Sequence, residues 1–280
     1  MSAAAAFLLA ILQGLTEFLP VSSSGHLVLA QNLLERSGNP VLAQPLAFDL
    51  LLHLGTLASV LVYFRRDLLC LARSLAPADG LTPAGRASHN TRRALGLAAV
   101  ALLPTGLVGL PLRTLVGSLM HRPLMVCLLL AVTGGVLLST RRVGNSGPAQ
   151  PATLPAMTWT QALGLGAAQG LAVLPGLSRS GLTIAAGLAL GMSPMAAFRW
   201  SFLISIPAIA GAAVLEIPRQ PGGGWDLRWT DLGAALAAGL VGLLALRLVA
   251  GSLVTSRFHH FAWYCLTLAA GGALFWQVMG

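Results

Sequence analysis

The sequence predicts an all-α integral membrane protein: six transmembrane helices plus two re-entrant helix-loop-helix hairpins in an inverted-topology repeat. Three observations carry that expectation. Hydrophobic residues make up 56% of the chain and charged residues only 9%, whereas a soluble domain needs roughly a quarter charged residues to cover its surface. The apolar residues fall in long blocks rather than at amphipathic spacing. A polar loop near the N-terminus also recurs in the second half of the chain.

The blocks are residues 48–64, 94–112, 124–140, 196–215, 232–250 and 261–278. Each spans or nearly spans a hydrocarbon core about 30 Å thick. All 17 basic residues are arginines and the formal net charge is +9. That charge does not point to nucleic acid, because the arginines sit mainly in the connections between blocks. Arg65, Arg66, Arg73, Arg86, Arg92 and Arg93 lie between the first and second blocks. Arg141 and Arg142 follow the third, and Arg247 and Arg257 flank the connection after the fifth. Arginine-rich connections stay in the cytoplasm. Arg36, Arg113, Arg122, Arg219 and Arg228 then fall on the other side, with the N-terminus. Residues 76–91 and 141–155 read as solvent loops.

Cys70, Cys127 and Cys265 are scattered and give no disulfide or zinc pattern. Met1-Ser2-Ala3 lacks a positive n-region, and the first apolar run continues into Gln13 and Glu17, which argues against a cleaved signal peptide.

The repeat orders the chain as one membrane domain, 1–280, with halves 1–140 and 156–280. Gln13-Gly14-Leu15 recurs as Gln169-Gly170-Leu171, 156 residues later. At that offset Ser22-Ser23-Ser24-Gly25 aligns with Ser178-Arg179-Ser180-Gly181, and each copy carries a proline, Pro20 or Pro175. The apolar arms around each loop are too short to cross comfortably alone, so each copy reads as a re-entrant hairpin. Irregular backbone at membrane depth is tolerated where it is buried in protein or lines a wet cavity. Three spans follow each hairpin, so the two enter from opposite faces, and sites form where such broken elements meet.

The first loop offers a carboxylate, hydroxyls, an imidazole and a helix N-terminus within a few residues. Gln13 and Glu17 stand at i and i+4 and share a helix face. Ser22, Ser23 and Ser24 precede a helix whose free N–H groups favour an anion; Ser22 or Ser24 serves equally as an N-cap, and His26 as a packing residue. Glu17 is harder to explain by packing, since an unpaired carboxylate at membrane depth costs several kcal/mol. The second loop places Arg179 inside an apolar stretch, where its planar fork matches phosphate oxygens or pairs with Glu17. Ser178, Ser180, Gly176 and Gly181 let backbone N–H groups turn toward an anion. Asp49, with His53 at i+4, and Arg199 stand at the starts of two spans and are expected to be helix-start or interface residues, paired with each other. Gln169 and Thr183 read as lining or packing residues.

Residues 13–26, 175–181 and the run 48–56 resemble the bacterial undecaprenyl-diphosphate phosphatases of the bacitracin-resistance type. The resemblance extends over the whole chain in length and order of segments. It implies a multi-pass enzyme of the bacterial plasma (inner) membrane that removes the terminal phosphate of undecaprenyl diphosphate. It further implies a divalent cation, Mg²⁺ or Ca²⁺, a site open to the periplasmic side, membrane lipid as surroundings, and a homodimer. The family allows Glu or Gln at the first position of its paired motif. Here it is Gln13, which leaves Glu17 as the sole carboxylate of the pair.

On that basis Arg179 clamps the transferring phosphate. Ser23 is the candidate nucleophile, with Ser22 next, and His26 the general base or leaving-group acid. Glu17 holds the cation, with Gln13 or Asp49. Gln13, Ser24, Gly25, Ser178, Ser180 and Gly181 complete the substrate-binding set. A different lipid-phosphatase class with Ser-Gly-His and Ser-Arg elements requires an upstream lysine, and this chain has none. A lipid flippase or secondary transporter built on the same repeat is the alternative.

Overall fold

The computed structural model describes residues 3–36, 46–74, 83–142, 156–216 and 228–279, and every regular element among them is helical. Helix α1 (Ala3–Phe18) is an Ala- and Leu-rich run of strong helix formers. It stops short of Pro20, which has no N–H to continue the ladder. Helix α2 (Ser23–Arg36) starts where the Gly25 N–H donates to Ser22 Oγ, 3.2 Å away. Ser22 is therefore an N-cap.

Helix α3 (Leu46–Tyr63) bends by 70° at Phe64 into the short helix α4 (Arg65–Ser74). Helix α5 (Pro83–Met120) contains Pro104 and Pro111, and α6 (Pro123–Ser139) again begins on a proline. Pro83 and Pro123 stand at the first helical position, where a missing N–H costs nothing. A 3₁₀ turn, Thr140–Arg142, closes α6. In the second half α7 (Trp159–Leu171) opens on a capping box between Thr158 and Gln161. Helix α8 (Arg179–Ala189) is capped by Ser178, whose Oγ accepts the Gly181 N–H at 3.1 Å. Then follow α9 (Pro194–Glu216), α10 (Trp229–Val254) and α11 (Phe261–Met279).

Among the described residues five helices are long and apolar enough to cross a membrane, or six if the bent α3–α4 pair counts as one. Helices α1, α2, α7 and α8 fall short of the roughly 20 residues a crossing needs. Large apolar side chains such as Leu103, Leu107, Leu236, Leu240 and Val278 stand exposed on the outer faces, an arrangement suited to lipid rather than water.

The short helices are wedged between the long ones. Gly14 lets α1 lie against α10: a Cβ there would meet the Ala238 carbonyl oxygen at 2.6 Å. At the matching position Gly170 lets α7 lie against α5, where a Cβ would meet Val108 Cβ at 2.8 Å. Helices α3 and α9 run in opposite directions. Asp49, near the start of α3, shares a cavity with Ala208 and Ala212 of the second half of α9, while Asp67, beyond the end of α3, meets Arg199 near the start of α9.

Three expectations are corrected here. The supposed loop 76–91 is helical from Pro83 onward, because Pro83 opens α5 and the following residues carry it; residues 76–82 lie outside the described residues. Of the supposed loop 141–155, residues 141–142 belong to the 3₁₀ turn and 143–155 lie outside the described residues. Arg199 pairs with Asp67 rather than Asp49: its Nη2 donates to Asp67 Oδ1 and its Nε to Oδ2 at 3.2 Å. The opposed directions of α3 and α9 put Asp49 and Arg199 at different ends of the molecule. Around this pair lies an aromatic core of Phe18, Phe64, Phe198 and Phe202, each ring within 6.0 Å of at least one other.

Candidate active site

The α1–α2 and α7–α8 loops meet face to face. Ser22 Oγ accepts not only the Gly25 N–H but also the Gly176 N–H of the opposite loop, at 3.1 Å. Ser180 Oγ returns the contact by donating to the Leu19 carbonyl at 3.3 Å. Thr133 on α6 braces the second loop, donating to the Gly176 carbonyl at 2.8 Å and accepting the Ser178 N–H at 3.2 Å. Gly176 has φ +100, and a Cβ there would lie 2.6 Å from the Val126 carbonyl oxygen. Ser22 holds φ 67 without being glycine, a conformation retained when surrounding contacts over-determine it. The two loops share local design: in each, the first serine caps the helix and sits 3.3–3.4 Å from the hydroxyl of the serine two residues on.

This junction brings the polar groups onto one carboxylate. Glu17 is 9% exposed. Its Oε2 accepts the Ser23 hydroxyl at 2.7 Å and the Gln13 amide at 3.0 Å, and its Oε1 accepts Arg179 Nη2 at 2.5 Å. His53 Nε2 stands 3.9 Å from Oε2. These groups open onto a cavity of about 430 Å³, whose polar wall holds Glu17, Ser23, Ser24, Asp49, His53 and Arg179. The rest of its lining is largely apolar, with Val173, Leu177, Ala208, Ile209 and Ala212. Most pocket ligands are gripped by such a lining with a few convergent polar groups.

The sequence-nominated residues divide by position. Glu17, Ser22, Ser23, Ser24, Asp49, Ser178 and Arg179 border the cavity. Gln13 is fully buried behind Glu17. Gly25, Ser180 and Gly181 form the loop junction itself: a Cβ on Gly25 would lie 3.1 Å from Gly176 Cα, and one on Gly181 would lie 3.3 Å from Pro20 Cβ. His26 turns away from Ser23. Its Nδ1 lies 2.7 Å from the Ser22 carbonyl, which only accepts, so Nδ1 carries the proton. In the neutral ring Nε2 then accepts the Tyr264 hydroxyl, also at 2.7 Å, and the two rings stack.

Three contributors went unnamed as site residues. His53 borders the cavity, and its spacing from Asp49 was the signal for it. Thr133 was visible only as one hydroxyl in an apolar span. Tyr264 carried no local signal, being 238 residues from His26.

Asp49 Oδ1 is buried and, among the described residues, has no hydrogen-bond partner. With Glu17 and His53 on the same wall, it is the group best suited to a cation. No three His, Cys, Asp or Glu side chains among the described residues converge as a closed metal cage.

A bundle of apolar helices around an internal cavity, with an arginine and a carboxylate facing each other inside it, defines a multi-pass membrane protein equipped to handle an anionic group. The chain belongs to the family described as bacitracin resistance protein BacA, whose profile matches residues 6–271. It is 41% identical over 271 residues to the undecaprenyl-diphosphatase of Syntrophotalea carbinolica, covering 96% of this chain and 97% of that one. It is 41% identical over 273 residues to the undecaprenyl-diphosphatase of Desulfosudis oleivorans, covering 96% of each. It is 37% identical over 273 residues to the undecaprenyl-diphosphatase of Methanosphaera stadtmanae, covering 93% of each chain.

Proposed function

We propose that this chain is an undecaprenyl-diphosphate phosphatase that releases orthophosphate and returns undecaprenyl phosphate to cell-wall synthesis, the activity that underlies bacitracin resistance. One observation carries the mechanism: Ser23 of the first loop and Arg179 of the second meet on the two oxygens of Glu17. In this state the carboxylate occupies the guanidinium that a phosphate oxygen takes over when substrate enters.

Ser23 Oγ attacks the terminal phosphorus while Glu17 Oε2, already 2.7 Å away, takes its proton. The bond from that phosphorus to the bridging oxygen breaks, and undecaprenyl phosphate leaves. Water then cleaves the phosphoserine, releasing orthophosphate and restoring the hydroxyl. Arg179 neutralises charge on the transferring group throughout, the main demand of phosphoryl transfer. Glu17 replaces His26 as base in this scheme, because both ring nitrogens of His26 are engaged outside the cavity. His26 instead holds the Ser22 carbonyl and so the turn that presents Ser23. The apolar lining receives the first prenyl units.

A divalent cation would be held by Asp49 and Glu17, jointly with diphosphate oxygens, and would offset the charge of the substrate. Mg²⁺ is commonly held by one or two carboxylates plus substrate phosphates, so a closed cage is not required.

The inverted-repeat arrangement of two re-entrant hairpins is supported by the matched caps, by the matched glycine crossings at Gly14 and Gly170, and by the opposed directions of α3 and α9. The cavity lies beside Met120 and the start of α3, away from the end that carries Arg65, Arg66, Arg141 and Arg142. By the positive-inside rule it faces the periplasm.

Orthophosphate release from undecaprenyl diphosphate by purified protein tests the assignment. Wild type should turn over with Mg²⁺ or Ca²⁺ and lose activity in EDTA, and Arg179→Ala should be inactive while folded. A folded wild type that releases no phosphate with either ion overturns it.

A further inference from the structure

Helix α4 carries Arg65, Arg66, Asp67 and Arg73 among its 10 residues. Four charges on so short a helix keep it out of the hydrocarbon, and its 70° bend from α3 turns it away from the path of that span. Buried Asp67, Leu71 and Ser74 form its inner face, at i, i+4 and i+7. That face is clamped to the protein twice: Asp67 is held by Arg199 on α9, and Arg92 Nε on α5 donates to the Ser74 carbonyl.

The outer face is left with Arg65, Arg66, Leu69, Ala72 and Arg73, all exposed. The one carboxylate of α4 is turned inward and consumed by Arg199, so the outward charge is purely cationic. Among the described residues none of the three α4 arginines pairs with a carboxylate; Arg65 Nη1 donates to the Val62 carbonyl. Arg141, Arg142 and Arg257 are exposed at the same end, where Pro194 at the start of α9 borders a small cavity with Thr140 and Arg141.

We propose that the outer face of α4 is a docking surface for the anionic headgroups of the bordering lipid leaflet. Each guanidinium matches a phosphodiester through a planar fork. Leu69 reaches the acyl boundary between the arginines, as apolar residues of interfacial helices do. The Asp67–Arg199 pair fixes this helix at the membrane edge, so the surface is preformed.

The test uses full-length protein stripped of lipid in detergent and titrated with phosphatidylglycerol or phosphatidylcholine, with retained lipid counted by native mass spectrometry. Wild type retains phosphatidylglycerol over phosphatidylcholine. Arg65→Gln, Arg66→Gln and Arg73→Gln should each weaken phosphatidylglycerol retention about fivefold, the equivalent of about 1 kcal/mol per arginine near an anionic surface. Phosphatidylcholine retention and turnover in detergent should not change. Arg122→Gln, at the opposite end, should leave the preference intact. A triple variant with wild-type turnover that keeps the full preference for phosphatidylglycerol overturns the proposal, as does an equal loss of both lipids.

Discussion

Arg179 and Glu17, 162 residues apart in sequence, meet at 2.5 Å inside the helical bundle, and each belongs to a different one of the two matched loops. The two ions share a site that is largely shielded from water, where either alone would be costly. The geometry leaves Arg179 one step from a phosphate oxygen, and the first prediction concerns that step.

Arg179→Lys should fold and yet lose about 10²–10³-fold in turnover. Lysine keeps the charge but not the planar fork that holds two oxygens of a transferring phosphate. Orthophosphate release, set beside the thermal midpoint of the same sample, checks this. A lysine variant within a few-fold of wild type would show that charge alone suffices.

The adjacent serines should separate cleanly. Ser23→Ala should abolish turnover with little effect on stability, since Ser23 Oγ contacts Glu17 and the cavity. Ser22→Ala should destabilise the fold by about 1–3 kcal/mol, because the Gly25 and Gly176 N–H groups lose their shared acceptor. Thermal unfolding and turnover measured on both variants decide the matter. The reverse pattern would make Ser22 the reacting hydroxyl.

His26 and Tyr264 should behave as one structural unit. Tyr264→Phe keeps the stacked ring and loses the hydroxyl bond, at a cost of about 0.5–1.5 kcal/mol. Both Tyr264→Phe and His26→Gln should reduce turnover without reshaping its pH profile. If His26→Gln erased one limb of that profile, His26 would be the base after all.

Breaking the Asp67–Arg199 pair from one side should destabilise the protein by about 3–5 kcal/mol, since it takes from a buried charge the ion pair that offsets it. Asp67→Asn and Arg199→Met should each do this, and the double variant should recover much of the loss. A double-mutant cycle by thermal unfolding measures the coupling. Strict additivity of the two losses would show that the charges do not support each other.

Much of this molecule was legible in the chain because membrane burial leaves coarse signals. An apolar block must be about 20 residues long to cross, so five of the six predicted spans coincide with α5, α6, α9, α10 and α11, and the sixth, 48–64, falls on α3, which is long and apolar enough only when counted together with α4. Pro20 and Pro175 marked the loops, and the serines after Pro20 marked a helix cap, whereas the matching cap at Ser178 came from the structure. Glu17 and Arg179 stood out because a charge in an apolar run demands a partner. Asp67 did not stand out: it lies among the arginines that connect the first two blocks, and only its contact with α9 gives it a role. His26 is the opposite case: proximity in sequence to Ser23 says nothing about where its ring points, and its two nitrogens meet the Ser22 carbonyl and the Tyr264 hydroxyl.

The sequence by itself determined the membrane class, the helical blocks, the duplicated loops and the residue types available for phosphate chemistry, because hydropathy, proline and charge act locally and leave a readable pattern. Tertiary structure alone decided which of those residues meet. The partner of Arg199, the outward turn of His26 toward Tyr264, and the convergence of Ser23, Gln13 and Arg179 on Glu17 depend on helix direction and on backbone approaches such as those at Gly14 and Gly176. Those are long-range packing outcomes, and no local stretch of chain encodes them.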